Sequence, residues 1–243
     1  MPLTPHIEWR DGQPYASKFQ DVYFSTDHGL QETEYVFLQG NALTQRWQNL
    51  AQQTFTIAET GFGTGLNFLC AAKLWLELAP KNAQLHFIST EKYPLSQADI
   101  TQALALWPEL SLISTPFMAE YTRALQSGTP LMLFESRIKL NLLIGDATLS
   151  LQALKLNNTS VDAWFLDGFS PAKNPEMWQQ ALFAQIAAFS HTQSTFSTFT
   201  SAGHVRRGLI TAGFAVQKKT GFGKKREMLT GSLVRHIGDA NDT

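Results

Sequence analysis

From Phe55 onward, short runs of β-branched and aromatic residues take turns with segments of helical period. TFTIAE precedes GLNFLCAAKLWLELA, LHFIST precedes SQADITQALALW, DAWFL precedes EMWQQALFAQIAAF, and STFSTFT precedes AGHVRRGLITAGF. Successive parallel strands cannot be joined by a tight turn, and a helix is the usual crossover between them. The alternation therefore predicts the α/β class with a parallel sheet. AVQKKTGFGKKREMLTGSLVR then reads as two strands around a Gly-Phe-Gly loop, which makes the last pair antiparallel.

Residues 1–50 have a different texture and read as a small strand-rich cap: IEWRDGQPYA carries the Asp-Gly signal of a tight hairpin, and DVYFS and EYVFLQG read as short strands around a turn at Asp27 to Gly29. Residues 51–236 form the main domain, with an insertion near 108–137 where Pro108, Pro116 and Pro130 break the pattern, and residues 237–243 form a polar tail. Within that insertion LMLFESRIKLNLLIGD looks like a hairpin running into a central strand. A mostly parallel sheet that ends in an antiparallel hairpin is common among methyltransferases that use S-adenosylmethionine, whereas dinucleotide-binding sheets usually stay parallel to the edge.

With 44% hydrophobic and 16% charged residues, the 243-residue chain can bury a sizeable core. Its oiliest helix carries Lys73 and Glu77, and no apolar run approaches the ~20 residues of a membrane span, so no membrane association is expected. MPLTPHIEWRDGQP resembles no secretory leader, and the single Cys70 forbids an internal disulfide, which together point to the reducing cytoplasm. Six scattered histidines without CxxC or HxxxH spacing argue against a metal site. The net charge of −1 hides an asymmetry, because residues 201–236 carry +7 and residues 1–200 carry −6. Such a basic segment is either a solvated face or a docking surface for a polyanion.

ETGFGTGLNF sets Gly61, Gly63 and Gly65 between a strand and a helix, where glycine lets a ligand approach the backbone closely. Three acids choose among ligands. Glu59, just ahead of the glycines, is expected beneath the loop, bound to its amides or to the ammonium of an amino-acid moiety, and it would repel a pyrophosphate. Glu91 closes the second strand, where a carboxylate accepts ribose hydroxyls. Asp146 closes the next, in position for the exocyclic amine of adenine. Any one of these acids could simply cap a helix; jointly they describe a site for a nucleoside bearing a cationic amino acid.

LDGFSPAKNPEMW raises the sharpest question, because Asp167 interrupts an apolar surface at the end of the fourth strand. Ligands of open α/β sheets bind outside the carboxyl ends of the strands, so Asp167 should face the same crevice. Pro171 and Pro175 stiffen the loop that presents Phe169, Lys173 and Asn174, with Asn174 a candidate N-cap and Pro175 suited to a first helical turn. An acid followed by a Pro-containing loop suits amine methylation. There it accepts the amine's hydrogens, orients its lone pair and takes the surplus proton.

ETGFGTGLNFL, DAWFLDGFSPAKNPEMW, TFTSAGHVRRGL, GFGKKREML and DVYFSTDHGLQETEYVFL resemble the methyltransferase domain of the MnmC family, bacterial bifunctional enzymes of wobble-uridine modification in tRNA. The resemblance runs from about Trp9 to about Arg235. It implies a Rossmann-like methyltransferase fold and methyl transfer from S-adenosylmethionine to the aminomethyl nitrogen that gives 5-methylaminomethyl-2-thiouridine. It also implies that Asp167 is catalytic and touches the cofactor, and that the glycine loop, Glu91 and Asp146 hold it. The family continues into an FAD-dependent oxidase domain that this chain does not include, leaving open a stand-alone enzyme or part of a longer one, with the oxidase as a fused or separate partner. SHTQSTFSTFT also replaces a Gly-Gly turn common in the family. Under this reading Arg206, Arg207, Lys224, Lys225 and Arg226 would neutralise phosphates of a tRNA anticodon stem-loop, and Phe222 either approaches a base or packs. Met177 and Trp178 are expected in the core. A monomer is expected. The alternatives are a small-molecule amine methyl- or aminopropyltransferase of the same fold, and a tRNA-binding module without chemistry.

Overall fold

The computed structural model describes residues 7–10, 12–24, 28–154 and 160–234. Asp11, Asp27, Arg235 and the tail at 237–243, which figure in the sequence reading, lie outside the described residues. The parallel series forms as expected: β4 (Thr54–Glu59), β5 (Gln84–Glu91), β7 (Ile138–Ile144), β8 (Val161–Phe165) and β9 (Ser190–Thr198). These five adjoin in the order β9-β8-β4-β5-β7, every pairing parallel. Antiparallel strands close both edges. β10 (Phe214–Thr220) and β11 (Glu227–Leu233) form the terminal hairpin, with β11 inserted between β9 and β10. On the far side β6 (Leu131–Leu133) turns back onto β7, so the strand expected to be central stands next to an edge.

Each face of the sheet is covered, and residue alternation along the strands divides the core in two. Phe55, Ile57, Leu85, Phe87 and Phe165 point to one face, where α2 (Leu43–Gln48), α3 (Leu66–Leu78), α4 (Gln97–Leu104) and α5 (Ser111–Ser127) pack. Ala58, Ile88, Trp164 and Leu166 point to the other, beneath α6 (Ala147–Ala153), α7 (Gln180–Ala188) and α8 (Gly203–Thr211). Among the described residues no helix is long and apolar enough to cross a membrane.

The N-terminal hairpin is present: β1 (Ile7–Arg10) and β2 (Gln13–Ala16) pair with Arg10 opposite Gln13, and β3 (Asp21–Val22) adds a third strand. EYVFLQG is not a strand. α1 (Gly29–Thr33) continues into a wide helical stretch over Glu34–Gln39, closed by the Gly40 N–H donating to the Tyr35 carbonyl at 3.2 Å. Its aromatic and β-branched composition suits a strand, yet Val36, Phe37 and Leu38 are buried in succession, as an enclosed helix allows. The Ser197 hydroxyl donates to the Val36 carbonyl, which ties this stretch to β9.

Two acids on and just after β8 have opposite fates. Asp162 accepts from the Thr56 N–H at 2.7 Å and the Gln52 amide at 3.1 Å, which pins the start of the sheet. Asp167, two residues past the strand, stands at the end where the ligand crevice of such sheets lies.

Candidate functional site

The ends of β4, β5, β7 and β8 converge beneath the N-terminal segment around one cavity of about 720 Å³. The glycine loop forms its floor. Phe62 N–H donates to the Thr90 carbonyl at 3.0 Å and Gly65 N–H to the Phe62 carbonyl at 2.8 Å, folding the chain tightly into α3. Gly61 passes so close to the next loop that a Cβ would lie 3.2 Å from the Asp167 carbonyl oxygen. Gly65 takes φ +78°, where an added Cβ would meet the Phe62 ring at 2.8 Å. Gly61 and Gly63 line the cavity, whereas Gly65 serves the turn.

Glu91 ties the floor to β5. One carboxylate oxygen accepts the Gly63 N–H at 2.9 Å and the other the Tyr93 N–H at 2.7 Å. Burial raises the Glu91 carboxyl above its ordinary range against the pull of these amides. Asp146 caps α6, accepting from Thr148 N–H at 3.1 Å, while its other oxygen meets the Lys92 ammonium at 3.3 Å. It therefore has a capping role as well as a place on the cavity wall.

Asp167 stands half-buried opposite the glycine loop. Its Oδ1 accepts the Gly168 N–H at 2.8 Å, and its Oδ2 accepts from Nδ2 of Asn67 at 2.6 Å. Burial pushes its carboxyl up to about 6; the Gly168 and Asn67 donors and the Lys225 charge oppose this, and Glu32 adds to it. Around neutrality Asp167 is thus a carboxylate close to accepting a proton.

Glu59 is a correction. It is 1% exposed and absent from the cavity wall, bonded to Nδ2 of Asn67 at 2.9 Å and the Ser89 hydroxyl at 2.6 Å rather than to loop amides. Burial, reinforced by the charge of Asp167, raises its carboxyl well above the usual range. The first turn of α3 places Asn67, which lines the cavity and bonds both acids, between Glu59 and Asp167.

The DGFSP loop is anchored from several sides. Phe169 stacks on Phe19 at 4.4 Å and meets Tyr23 edge-on at 5.3 Å, and Ser170 N–H donates to Asp21 at 3.2 Å. Trp178 donates from Nε1 to the Phe169 carbonyl at 3.0 Å and is a core residue as expected, whereas Met177, expected in the core, is only partly buried, lying against Gly168 and lining the cavity. Lys173 and Asn174 reach the rim, whereas Pro171 is buried away from the cavity. Pro175 opens only a short turn over Pro175–Met177. Asn174 precedes it without a capping side-chain bond, because its amide points to the Met177 sulfur.

The basic residues separate. Arg206, Arg207, Lys224 and Arg226 lie off the cavity wall, but Lys225 lines it, 2.5 Å from Glu32 and over the Phe199 ring at 4.6 Å. Phe222 packs against Tyr35 and His28 and is a packing residue. Sequence reading missed Asn67, Thr33, Glu32, Tyr23 and Lys92. Asn67 alone left a usable trace, an amide within the apolar run GLNFLC.

Acid-ended parallel strands, a glycine loop and an antiparallel terminal hairpin define a Rossmann-like methyltransferase whose cleft suits a nucleoside carrying a cation. The family model for S-adenosyl-L-methionine-dependent methyltransferases matches residues 108–234, and the chain belongs to that family. It is 55% identical over 225 residues, 93% of its length, to the tRNA 5-methylaminomethyl-2-thiouridine biosynthesis bifunctional protein MnmC of Methylobacillus flagellatus. To the protein of the same name from Marinomonas it is 49% identical over 231 residues, 95% of its length. The chain spans 34% of the length of each of these relatives. The crystal structure of MNMC2 from Aquifex aeolicus shares the fold, with TM-score 0.71 and 24% identity over 95% of this chain and 71% of that one.

S-Adenosylmethionine fits the residues present. The glycine floor leaves room where side chains would intrude, Glu91 keeps unshared lone pairs for ribose hydroxyls, and the cavity is large enough for a nucleoside with a side arm.

Proposed function

We propose that this chain methylates the 5-aminomethyl nitrogen of a wobble 2-thiouridine in tRNA, giving 5-methylaminomethyl-2-thiouridine. The observation behind this reading is the Asp167 carboxylate, raised toward neutrality and facing the cavity across from the glycine loop. Bound on Gly61, Gly63, Glu91 and Asp146, S-adenosylmethionine supplies an electrophilic methyl group on a sulfonium.

The residues have separable tasks. Asp167 accepts hydrogen bonds from the incoming amine, aims its lone pair and takes the proton shed as the new C–N bond forms; this positioning accounts for most of the rate. Phe169, locked between Phe19 and Tyr23, offers an aromatic wall for a base, and Lys173 and Asn174 on the rim add polar contacts. Lys224 and Arg226 on the terminal hairpin, with Arg206 and Arg207 on α8, engage backbone phosphates of the anticodon stem-loop. The names of the relatives support tRNA as substrate, and an FAD-dependent oxidase, fused or separate, would deliver the amine. The protein acts as a cytoplasmic monomer.

Methyl transfer from labelled S-adenosylmethionine tests this. Label should enter tRNA bearing 5-aminomethyl-2-thiouridine, and Asp167→Ala should abolish it while weakening cofactor binding by no more than about tenfold. Labelling of free amines but not of tRNA, or full activity of the variant, overturns the proposal.

A further inference from the structure

Asn67 is placed where a helix of this kind has no packing need for an amide. On α3 its buried neighbours are Leu66, Phe68, Leu69, Cys70, Ala71 and Ala72, and Asn67 itself is only 7% exposed. Every bond it makes joins it to the acids of the site or fixes its orientation. Nδ2 donates to Glu59 Oε1 at 2.9 Å and to Asp167 Oδ2 at 2.6 Å, and Oδ1 accepts from the Thr33 hydroxyl at 2.8 Å. Turning the amide over would set its oxygen against two carboxyl groups, so the network admits one orientation.

We propose that Asn67, oriented by Thr33, is a positioning residue that holds the Asp167 carboxylate in its amine-accepting geometry. The inference rests on the reading that Asp167 accepts the amine. Its physical basis is a count of lone pairs. The Gly168 N–H occupies one lone pair on Oδ1 and Asn67 one on Oδ2, which leaves one on each oxygen for a substrate nitrogen. Without the amide, Asp167 loses a donor that favours its charged form, and its buried carboxyl holds a proton to higher pH. A protonated Asp167 cannot receive the proton that methylation releases.

The charged surroundings agree. Glu32 of α1 favours the protonated form of Asp167, while the charges of Asp167 and of Glu91 on β5 in turn raise the carboxyl of Glu59 on β4. Lys225, from the loop between β10 and β11, opposes them, and Asn67 donates the shortest hydrogen bond that the Asp167 side chain accepts. Removing that bond should delay ionisation of Asp167 to higher pH.

The test is the pH profile of methyl transfer to 5-aminomethyl-2-thiouridine tRNA by the full chain, with S-adenosylmethionine affinity measured alongside by titration calorimetry. Asn67→Ala is expected to lower kcat at pH 7 by roughly 10- to 100-fold, the range for a lost charge-assisted hydrogen bond. The acid limb of kcat should move up by about one pH unit, activity should recover in part near pH 9, and cofactor affinity should change less than about threefold. Thr33→Val, which keeps shape and removes only the hydroxyl, should move the limb in the same direction by less.

Equal loss of kcat at every pH, or an unmoved limb, overturns the inference. Should Asn67→Ala fail to fold, Thr33→Val decides alone, and a limb at the wild-type position refutes the role. Full activity of Asp167→Asn would instead remove the proposed function on which the inference rests. An inactive Asp167→Asn with an unmoved limb in the Asn67 and Thr33 variants removes only the positioning role.

Discussion

Replacing Asp167 by Asn should stabilise the folded chain at neutral pH while destroying its activity. Native Asp167 has its carboxyl raised from 3.8 to about 6, chiefly by burial. At ~1.4 kcal/mol per pKa unit, ionising it in the fold rather than in the open chain costs about 3 kcal/mol. Such a group contributes stability that is complete below pH 3.8 and lost as the pH rises through about 6, a loss that an amide does not suffer. One term opposes. Asn67 and the Gly168 N–H both donate to residue 167, and Asn offers a single acceptor oxygen, so one donor goes unmet at about 1–2 kcal/mol. Urea unfolding of the unliganded chain should therefore show the variant about 1–2 kcal/mol more stable than wild type at pH 8. Between pH 8 and pH 4.5 its advantage should shrink by about 2 kcal/mol, enough to bring the two level or reverse their order. In thermal melts that change is about 4–8 °C for a chain of this size. Methyl transfer by the same variant should fall about 10²- to 10⁴-fold. A stability difference independent of pH would refute the claim that Asp167 is a displaced carboxylate in the fold.

Gly168→Ala combines φ +142° with a Cβ 2.6 Å from the Met177 sulfur, and should cost about 1–3 kcal/mol in urea unfolding; Met177→Ala in that background should recover only the steric part. Calorimetry should separate the two buried acids of the floor. Glu91→Ala should weaken S-adenosylmethionine binding by about 10-fold or more through lost ribose contacts, whereas Glu59→Gln should bind almost normally and be more stable at neutral pH, because Glu59 is raised by burial and lies off the cavity wall. Replacing Lys224 and Arg226 with Ser should weaken tRNA binding across sequences and flatten its salt dependence by about 0.7–0.9 per lost phosphate contact; an unchanged slope would remove the hairpin from the docking surface.

The sheet was legible because alternation of strand and helix periods is a property of the chain itself, and Asp167 was legible because a charge stands out at the end of VDAWF. What failed depended on neighbours distant in sequence. EYVFLQG has strand composition, but its burial on successive residues and its tie to β9 favour a helical stretch. Pro116 was read as a break, yet α5 passes through it; the carbonyl it deprives belongs to Leu112, a residue 85% exposed, so water can satisfy that oxygen. Lys225 and Arg226 are adjacent in sequence, yet only Lys225 turns into the cavity, because Glu32 and the Phe199 ring, distant in the chain, receive it. Glu59 was placed at the ligand because spacing gives distance along the chain and says nothing of an intervening side chain such as Asn67.

Glu59, Glu91 and Asp167 all have carboxyl groups raised by burial, so the empty fold is under electrostatic tension at neutral pH. A cationic sulfonium relieves that tension by favouring the charged forms, and the neutral thioether left after transfer does not. The same acids that weaken the free protein therefore favour donor over product and assist release after each turnover. Acid should erase the preference. As Asp167 takes up its proton near pH 6, the ratio of thioether to sulfonium dissociation constants should fall, by about fivefold between pH 8 and pH 5 if the relief is about one pKa unit. Calorimetric titration of both ligands across that range measures it, with Asp167→Asn as the control in which the ratio should start low and stay nearly flat. A wild-type ratio that does not change with pH would mean that the acids shape the cleft without reading the charge of what it binds.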